Sequence, residues 1–499
     1  MRRLIAGLVA SLALGGLSAQ ILELRVPDLA ATPLPRSVDM GGITYVDHGL
    51  VAAGSLPAGT VDFLGDTLGS FSSLAIQPGT WRRDGDTYTG VLWTLPDRGR
   101  NDPEHQLFFD YRGRLHRFRL TLRLGDTPQL TLLPDGGREL RDFDGRPFTG
   151  AEPGQGVRSE HGVVLPSPAK GTGAGKVSLD AESLQFTPDG GFYVGDEYAA
   201  NVYRFDPRGR LTGIVEPPVA VRPRDATGRP DFTSLRPPAT GRRNNQGVEG
   251  MALSPDGTRL FVVLQSALVQ DSAPGDASGR TLARVVVYDT SHTMMPSTPI
   301  AHYVVRLPSY TDRGDGGSPN RTAAQSEIRA LDDHRFLMLA RDGSGYGAGG
   351  KRPIVFKSVL LVDTDGATNL AGTSYETGST PVIDARGVLR TDIHTATTLP
   401  FVNLLDPANL ARFGLGVQAD EAGKAQLSEK WEAMDLVPAL DPAHPDDWFL
   451  LVGNDNDFIA RHCVMDGQRC DSDIDNDNRI LVYRLSLPGM RSATAPHHR

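Results

Sequence analysis

Cysteine is scarce: Cys463 and Cys470 are the only two among 499 residues. A disulfide framework of the kind that holds small secreted domains is therefore excluded. A chain of this length buries about three quarters of its unfolded surface and has no need of one. Long apolar runs are also missing: past the N-terminus none approaches about 18 residues, which excludes a multi-span membrane protein. Positive charge is in deficit, with 51 Lys+Arg against 60 Asp+Glu and a net −9. Phosphate backbones demand a basic stripe, so nucleic acid is excluded as a partner. The 12 histidines form neither HExxH nor HxH, which leaves zinc no recognisable nest. There is no GxSxG elbow, since in DGSGYG the glycines flank Ser344 at the wrong spacing. GTGAGKVS (171–178) fails as a phosphate loop, with Lys170 where the first Gly belongs and Val177 where Ser or Thr belongs.

Turn formers, by contrast, are abundant. Gly (56) and Pro (36) together make about 18% of the chain, against a usual level of about 12%. That excess favours a turn-rich, all-β protein. At the N-terminus Arg2 and Arg3 precede an apolar stretch over 4–17, and Leu17-Ser18-Ala19 ends in a small residue suited to cleavage. The pattern is that of a secretory signal peptide over 1–19, too short to be a membrane anchor. Its removal leaves 49 basic residues against 60 acidic ones, an acidic exported protein, periplasmic or extracellular. In that setting Cys463 and Cys470, with six residues between them, are expected to pair and pin a local loop.

One small pattern recurs along the chain. An acidic residue opens a strand, a turn follows, and a second apolar strand runs into polar residues. It stands as LDAESLQFTPDGGFYVGDEY (179–198) and QGVEGMALSPDGTRLFVVLQSA (246–267), with Glu182 and Glu249 each six residues before the Pro of PDG. Looser copies are SEIRALDDHRFLMLARDG (326–343) with Glu327, and KWEAMDLVPALDPAHPDDWFLLVGNDNDF (430–458) with Glu432. An N-terminal copy (70–99) carries Ser72 in place of Glu. Asp-Gly and Pro-Asp set hairpins, and runs such as FYVGD and FLLVGND are strand-like. Further strands, such as ARVVVYDTS and ILVYRLSL, complete several copies. Such a repeat predicts an all-β β-propeller of six blades, seven being the alternative count, with long loop insertions. A sandwich with chance PDG turns is the competing fold.

The first strand of a propeller blade lines the central channel. In that register Glu182, Glu249, Glu327 and Glu432 converge on one axis, joined at the second-strand ends by Asp97, Asp196, Glu197, Gln265, Arg341, Asp342, Asn454, Asp455 and Asp457. Two carboxylates 8 Å apart repel by about 2 kcal/mol at an effective dielectric near 20. Several together require a proton or a cation, and oxygen-only ligands in an exported protein point to Ca²⁺. The competing reading pairs each Glu with an Arg or a backbone amide. DSDIDNDN (471–478) has Asn476 and Val482 where a calcium loop of the EF-hand type needs Gly and Glu.

Together the strings SLDAESLQFTPDGGFYVGDEYAANVYRFDPRGRL, NNQGVEGMALSPDGTRLFVVLQS, SEIRALDDHRFLMLARDG and WEAMDLV…VGNDNDF resemble the phytase-like family, "esterase-like activity of phytase". The resemblance covers about residues 43–486, after a lead-in over 20–42 and before a disordered tail over 487–499. It implies a secreted or periplasmic propeller with phosphoesterase or esterase activity. Matching positions are Asp180, Glu182, Asp196, Glu197, Asn245, Glu249, Glu327, Arg341, Glu432, Asn454 and Asp457. The leading expectation is a hydrolase of phosphate monoesters with Ca²⁺ held by Glu182, Glu249, Glu327, Asp196 and Glu432. Glu197 or Glu249 would move the proton, and Arg98 and Arg341 would hold phosphate oxygens. Asp97, Asp180, Asn245, Asn454 and Asp457 would complete the channel around a small phosphorylated or ester substrate. A non-catalytic propeller that binds a ligand at its mouth, or a carboxylic esterase, is the alternative.

Overall fold

Five sheets of four or more antiparallel strands organise the computed structural model, which describes residues 22–24, 28–102, 107–274, 277–348, 352–418 and 425–490. The described residues are all-β, 45% in strands and bridges and 3% in helix. Sheet I takes its strands from Ser73–Ile76, Thr87–Leu95, Arg114–Arg123 and Gln129–Glu139, with the short Arg82–Asp84 added. Sheet II comprises Ala181–Phe186, Phe192–Asp196, Val202–Phe205 and Leu211–Val215. Sheet III comprises Val248–Leu253, Arg259–Ala267, Leu282–Asp289 and Pro299–Arg306. Sheet IV comprises Ala324–Ala330, Arg335–Arg341, Lys357–Asp363 and Thr397–Asn403. Sheet V joins the two ends of the described chain: Lys430–Pro438, Asp447–Asp455 and Asn478–Ser486 are followed in the sheet by Ile43–Leu56 and Arg36–Met40.

The near-continuous apolar runs of the middle strands follow from packing on both faces. In sheet IV, Phe336, Met338 and Ala340 join a core with sheet III, whereas Leu337 and Leu339 join a core with sheet V. Side chains two apart share a face, so one strand serves two cores. The same holds around the molecule. Separate hydrophobic clusters lie between sheets I and II, II and III, III and IV, IV and V, and V and I, which closes the series. The first strands of the five sheets adjoin one another in the same closed order.

The expected six units are therefore corrected to five. The wide spacing between copies is filled by insertions rather than by a further sheet. Residues 142–178 form the hairpin Val157–Glu160/Val163–Pro166 and isolated bridges such as Thr149–Ser178, and 217–245 contain isolated bridges. The expected boundaries also move. Arg36–Met40 lies inside the expected lead-in over 20–42 yet pairs with Ile43–Asp47, and Glu23–Leu24 pairs in parallel with Ser309–Tyr310. At the other end Leu487 is buried and its N–H donates to the Asp446 carbonyl, so ordered chain extends through residue 490. The expected signal peptide, 1–19, and the tail beyond 490 lie outside the described residues. Cys463 and Cys470 are disulfide-bonded across the small hairpin Val464–Met465/Gln468–Arg469. Among the described residues no helix is long and apolar enough to cross a membrane.

Candidate functional site

A cavity of about 610 Å³ opens where the first strands begin and the second strands end. Its floor is made by β-bulges. In sheet II the pairing moves from Ala181–Asp196 to Ser183–Gly195, leaving Glu182 as the extra residue. Glu249 is the extra residue of sheet III and Glu432 that of sheet V. A bulge turns one side chain out of the ladder and toward a site, and these three glutamates line the cavity.

Sheet IV departs from the expected register by one residue. Its shift falls between Gln325 and Glu327, so Ser326 takes the bulge position. Glu327 instead occupies the place of Ser183, Gly250 and Ala433, and a one-residue slip reverses the side chain's direction. It points away from the cavity, into the ring of first strands. There it accepts bonds from Ser73 Oγ at 2.5 Å, Ile328 N at 2.9 Å and Met251 N at 3.3 Å, and pairs with Arg329 at 3.1 Å. Burial, only partly offset by Arg329, pushes its carboxyl up to about 7. The expectation that Glu327 ligates a metal is corrected: Glu327 and Arg329 close the centre of the ring.

Four other expected residues, Asp196, Asp342, Asn454 and Asp455, are also absent from the lining. Asp342 accepts from Lys357 Nζ at 2.8 Å and the Phe356 N–H at 2.9 Å, and Asp455 accepts the Asp457 N–H. Asp196 accepts the Asp180 N–H at 3.1 Å and the Ala199 N–H at 2.7 Å, a buried turn former rather than a ligand. Asn454 donates to the Asp477 carbonyl and accepts from Arg479 N, which fixes the returning strand of sheet V. The remaining expected residues converge. Asp97, Arg98, Asp180, Glu197, Asn245, Arg341 and Asp457 all line the cavity with the three bulge glutamates, as does Gln265.

The charges are partly paired. Arg98 meets Asp180 at 3.1 Å, Arg341 meets Glu432, and Lys430 meets Asp457 at 2.6 Å. Burial raises the Glu432 carboxyl, but Arg341 and Lys430 outweigh it and hold it below the usual range. Among the described residues Glu249 accepts only the Gln265 amide, through Oε1, and its Oε2 has no partner although the residue is 2% exposed. Among the described residues Glu182 has no ion-pair partner. Burial first, then Glu249, Asp180, Glu197 and Asp97, push its carboxyl well up. Asp97 rises to about 7 and Glu197 to about 8, in each case through burial first and Asp180 second.

One oxygen from each of Asp97, Asp180 and Glu182 lies within 4.8 Å of the others. Like charges at that range repel by about 3 kcal/mol per pair at an effective dielectric near 20. An all-oxygen donor set, with the orphaned Glu249 Oε2 in the same cavity, fits a hard divalent cation. The DSDIDNDN loop does not offer such a set. Asp471, Asp475 and Asp477 accept the N–H groups of Cys463, Arg461 and Ala58.

Sequence reasoning overlooked Glu429, Lys430, Arg100, Arg280, Asn244 and Gln246, which also line the cavity. Lys430, two residues before Glu432 in the same motif, was within reach. Arg280 comes from an insertion with no repeat to align.

The family model "Phytase-like: Esterase-like activity of phytase" matches residues 66–458. The chain belongs to the phytase-like family. The span of the match takes in nearly the whole phytase-like cavity, from Asp97 to Asp457. Over 476 residues this phytase-like chain is 33% identical to an uncharacterized secreted protein of Arthroderma benhamiae, covering 86% of this chain and 90% of that one. Among solved structures it is similar to the PQQ-bound aldose sugar dehydrogenase of Streptomyces coelicolor, at 13% identity and TM-score 0.26, covering 93% of this chain and 98% of that chain. It is also similar to the Malassezia sympodialis allergen Mala s 1, at 10% identity and TM-score 0.29, covering 97% of this chain and 99% of that chain.

Proposed function

We propose that the protein is an exported, calcium-dependent hydrolase of phosphate monoesters, working in the acidic cavity of a five-bladed β-propeller whose blades are sheets I–V. The observation that carries the reading is the convergence of Asp97, Asp180 and Glu182 in one cavity with Arg98 and Arg341. Export is supported by the secreted relative, the disulfide and the N-terminal sequence pattern.

Asp97, Asp180 and Glu182 would hold the cation. When bound, it supplies positive charge to an anionic phosphate and acidity to a water. An acidic cavity repels an anion, so the protein's own cationic groups must also face the substrate. Arg341 and Arg98 are held in place by Glu432 and Asp180 and retain donors for phosphate oxygens. Glu197 takes the proton-transfer role: its Oε1 is fixed by the Gly247 N–H at 3.2 Å, on the wall shared with Glu249. Gln265, bonded to Glu249, orients that carboxylate toward the same space.

The purified protein should hydrolyse a chromogenic phosphate ester and inositol phosphates in preference to short acyl esters. Chelation should remove the activity and calcium should restore it. Acyl-ester cleavage alone would select a carboxylic esterase, and no turnover with any of the three would select a binding protein.

A further inference from the structure

We infer that Lys430 stands in for a second cation: its ammonium fills a carboxylate group formed by Asp97, Asp455 and Asp457, and so leaves the cavity one divalent site rather than two. The wild-type count rests on the cation-dependent reading above; the role of Lys430 is tested separately.

Two groups of three carboxylates share Asp97. Oxygens of Asp97, Asp180 and Glu182 lie within 4.8 Å of one another, and so do oxygens of Asp97, Asp455 and Asp457. They differ in what already sits there. Lys430 Nζ is 2.6 Å from Asp457 Oδ1 and 3.7 Å from Asp455 Oδ2. In the other group, among the described residues, only Asp180 has a cationic partner, Arg98, and Glu249, whose Oε2 is unpartnered among them, lines the same cavity.

The ammonium is placed by the sheet rather than by a loop. Lys430 opens the first strand of sheet V and pairs in register with Asp455, while the Asp457 N–H donates to Asp455 Oδ1 at 2.6 Å. Backbone pairing therefore sets the distance between the ammonium and its two carboxylates. An ammonium is a compact point charge with three donors, the side chain closest to a small hard cation in what it offers carboxylates. The five carboxylates of both groups carry −5. Lys430, Arg98 and one divalent ion together return +4, a near balance. A second divalent ion would have to displace or sit against the ammonium at short range.

The test is calcium titration by calorimetry, with metal-stripped wild type, Lys430→Met, Lys430→Gln and Lys430→Arg. One ion per chain is expected for wild type and Lys430→Arg, and two for Lys430→Met and Lys430→Gln. A wild type that binds none while Lys430→Met binds one would uphold the role of Lys430 and overturn the calcium-dependent function. Equal counts in wild type and Lys430→Met, or two ions in wild type, would overturn the inference. If the neutral variants unfold without metal, they are refolded at saturating calcium and their bound ions counted. Two ions per folded chain supports the inference; one ion, or no folded protein at any calcium concentration, overturns it.

Discussion

Arg329→Met should destabilise the folded protein by about 3–5 kcal/mol, the usual cost of leaving a buried charge without its partner. The guanidinium is 7% exposed and ties four elements at once. It pairs with Glu327 and with Asp435 at 3.1 Å each, and donates to the Leu74 carbonyl at 2.8 Å and the Met251 carbonyl at 3.3 Å. Those partners sit on the first strands of sheets IV, V, I and III, so a single side chain holds the ring's centre. Without it Glu327 keeps three hydrogen bonds but loses its cation. The pH dependence follows from linkage. Burial already raises the Glu327 carboxyl from 4.5 to about 7, so the folded state holds the proton more tightly than the unfolded chain. Stability from this group is present below about pH 4.5 and is lost as pH rises through 7. Loss of Arg329 raises the folded value further, so the variant should be hurt more at pH 8 than at pH 5. Glu327→Gln in the same background should recover part of the loss. Urea unfolding at the two pH values measures all three. A variant within about 1 kcal/mol of wild type at pH 8 would mean that Arg329 does not hold the ring.

Glu182→Gln should lower phosphate-ester turnover by about 10²–10³-fold, the scale on which removal of one preorganised electrostatic group acts. Calcium affinity should fall with it, because the amide keeps an oxygen donor and loses the charge. The metal-free variant should be at least as stable as wild type. Glu182 is buried in the cavity wall near Glu249, Asp180, Glu197 and Asp97, all of which disfavour its ionised form. Neutralising it removes a repulsion and breaks no ion pair. Gain of stability with loss of activity is the signature of a residue kept for function at a cost to the fold. Steady-state kinetics with thermal melts, with and without calcium, separates this from a structural role, in which both properties would fall together.

The repeat that marks the strands was legible because hairpin turns and apolar runs are local. Glu182 and Glu249 were found through their fixed distance to the PDG turn, and Glu432 through the motif around it. Glu327 was assigned to the wrong side because a bulge changes register without any signature in the string: SEIRA and VEGMA look alike, yet the extra residue is Ser326 in one and Glu249 in the other. The unit count was overdrawn by one. Five copies of the motif stand in the string and each builds one sheet, whereas the expected sixth unit had no copy of its own, and the insertions over 142–178 and 217–245 build only a hairpin and isolated bridges. Sheet V was hidden because its outer strands come from residues 36–56, more than 370 positions away from Lys430. The Arg98–Asp180 pair joins segments of sheets I and II that only the packing of neighbouring sheets brings together, whereas Lys430–Asp457 lies within the hairpin of sheet V.

Diffraction from crystals soaked in calcium, with the ion located by its anomalous signal, tests the cavity's purpose most directly. The account predicts an ion bound by oxygens of Asp97, Asp180 and Glu182. Crystals that diffract well at saturating calcium yet show no ion among those three carboxylates would contradict it.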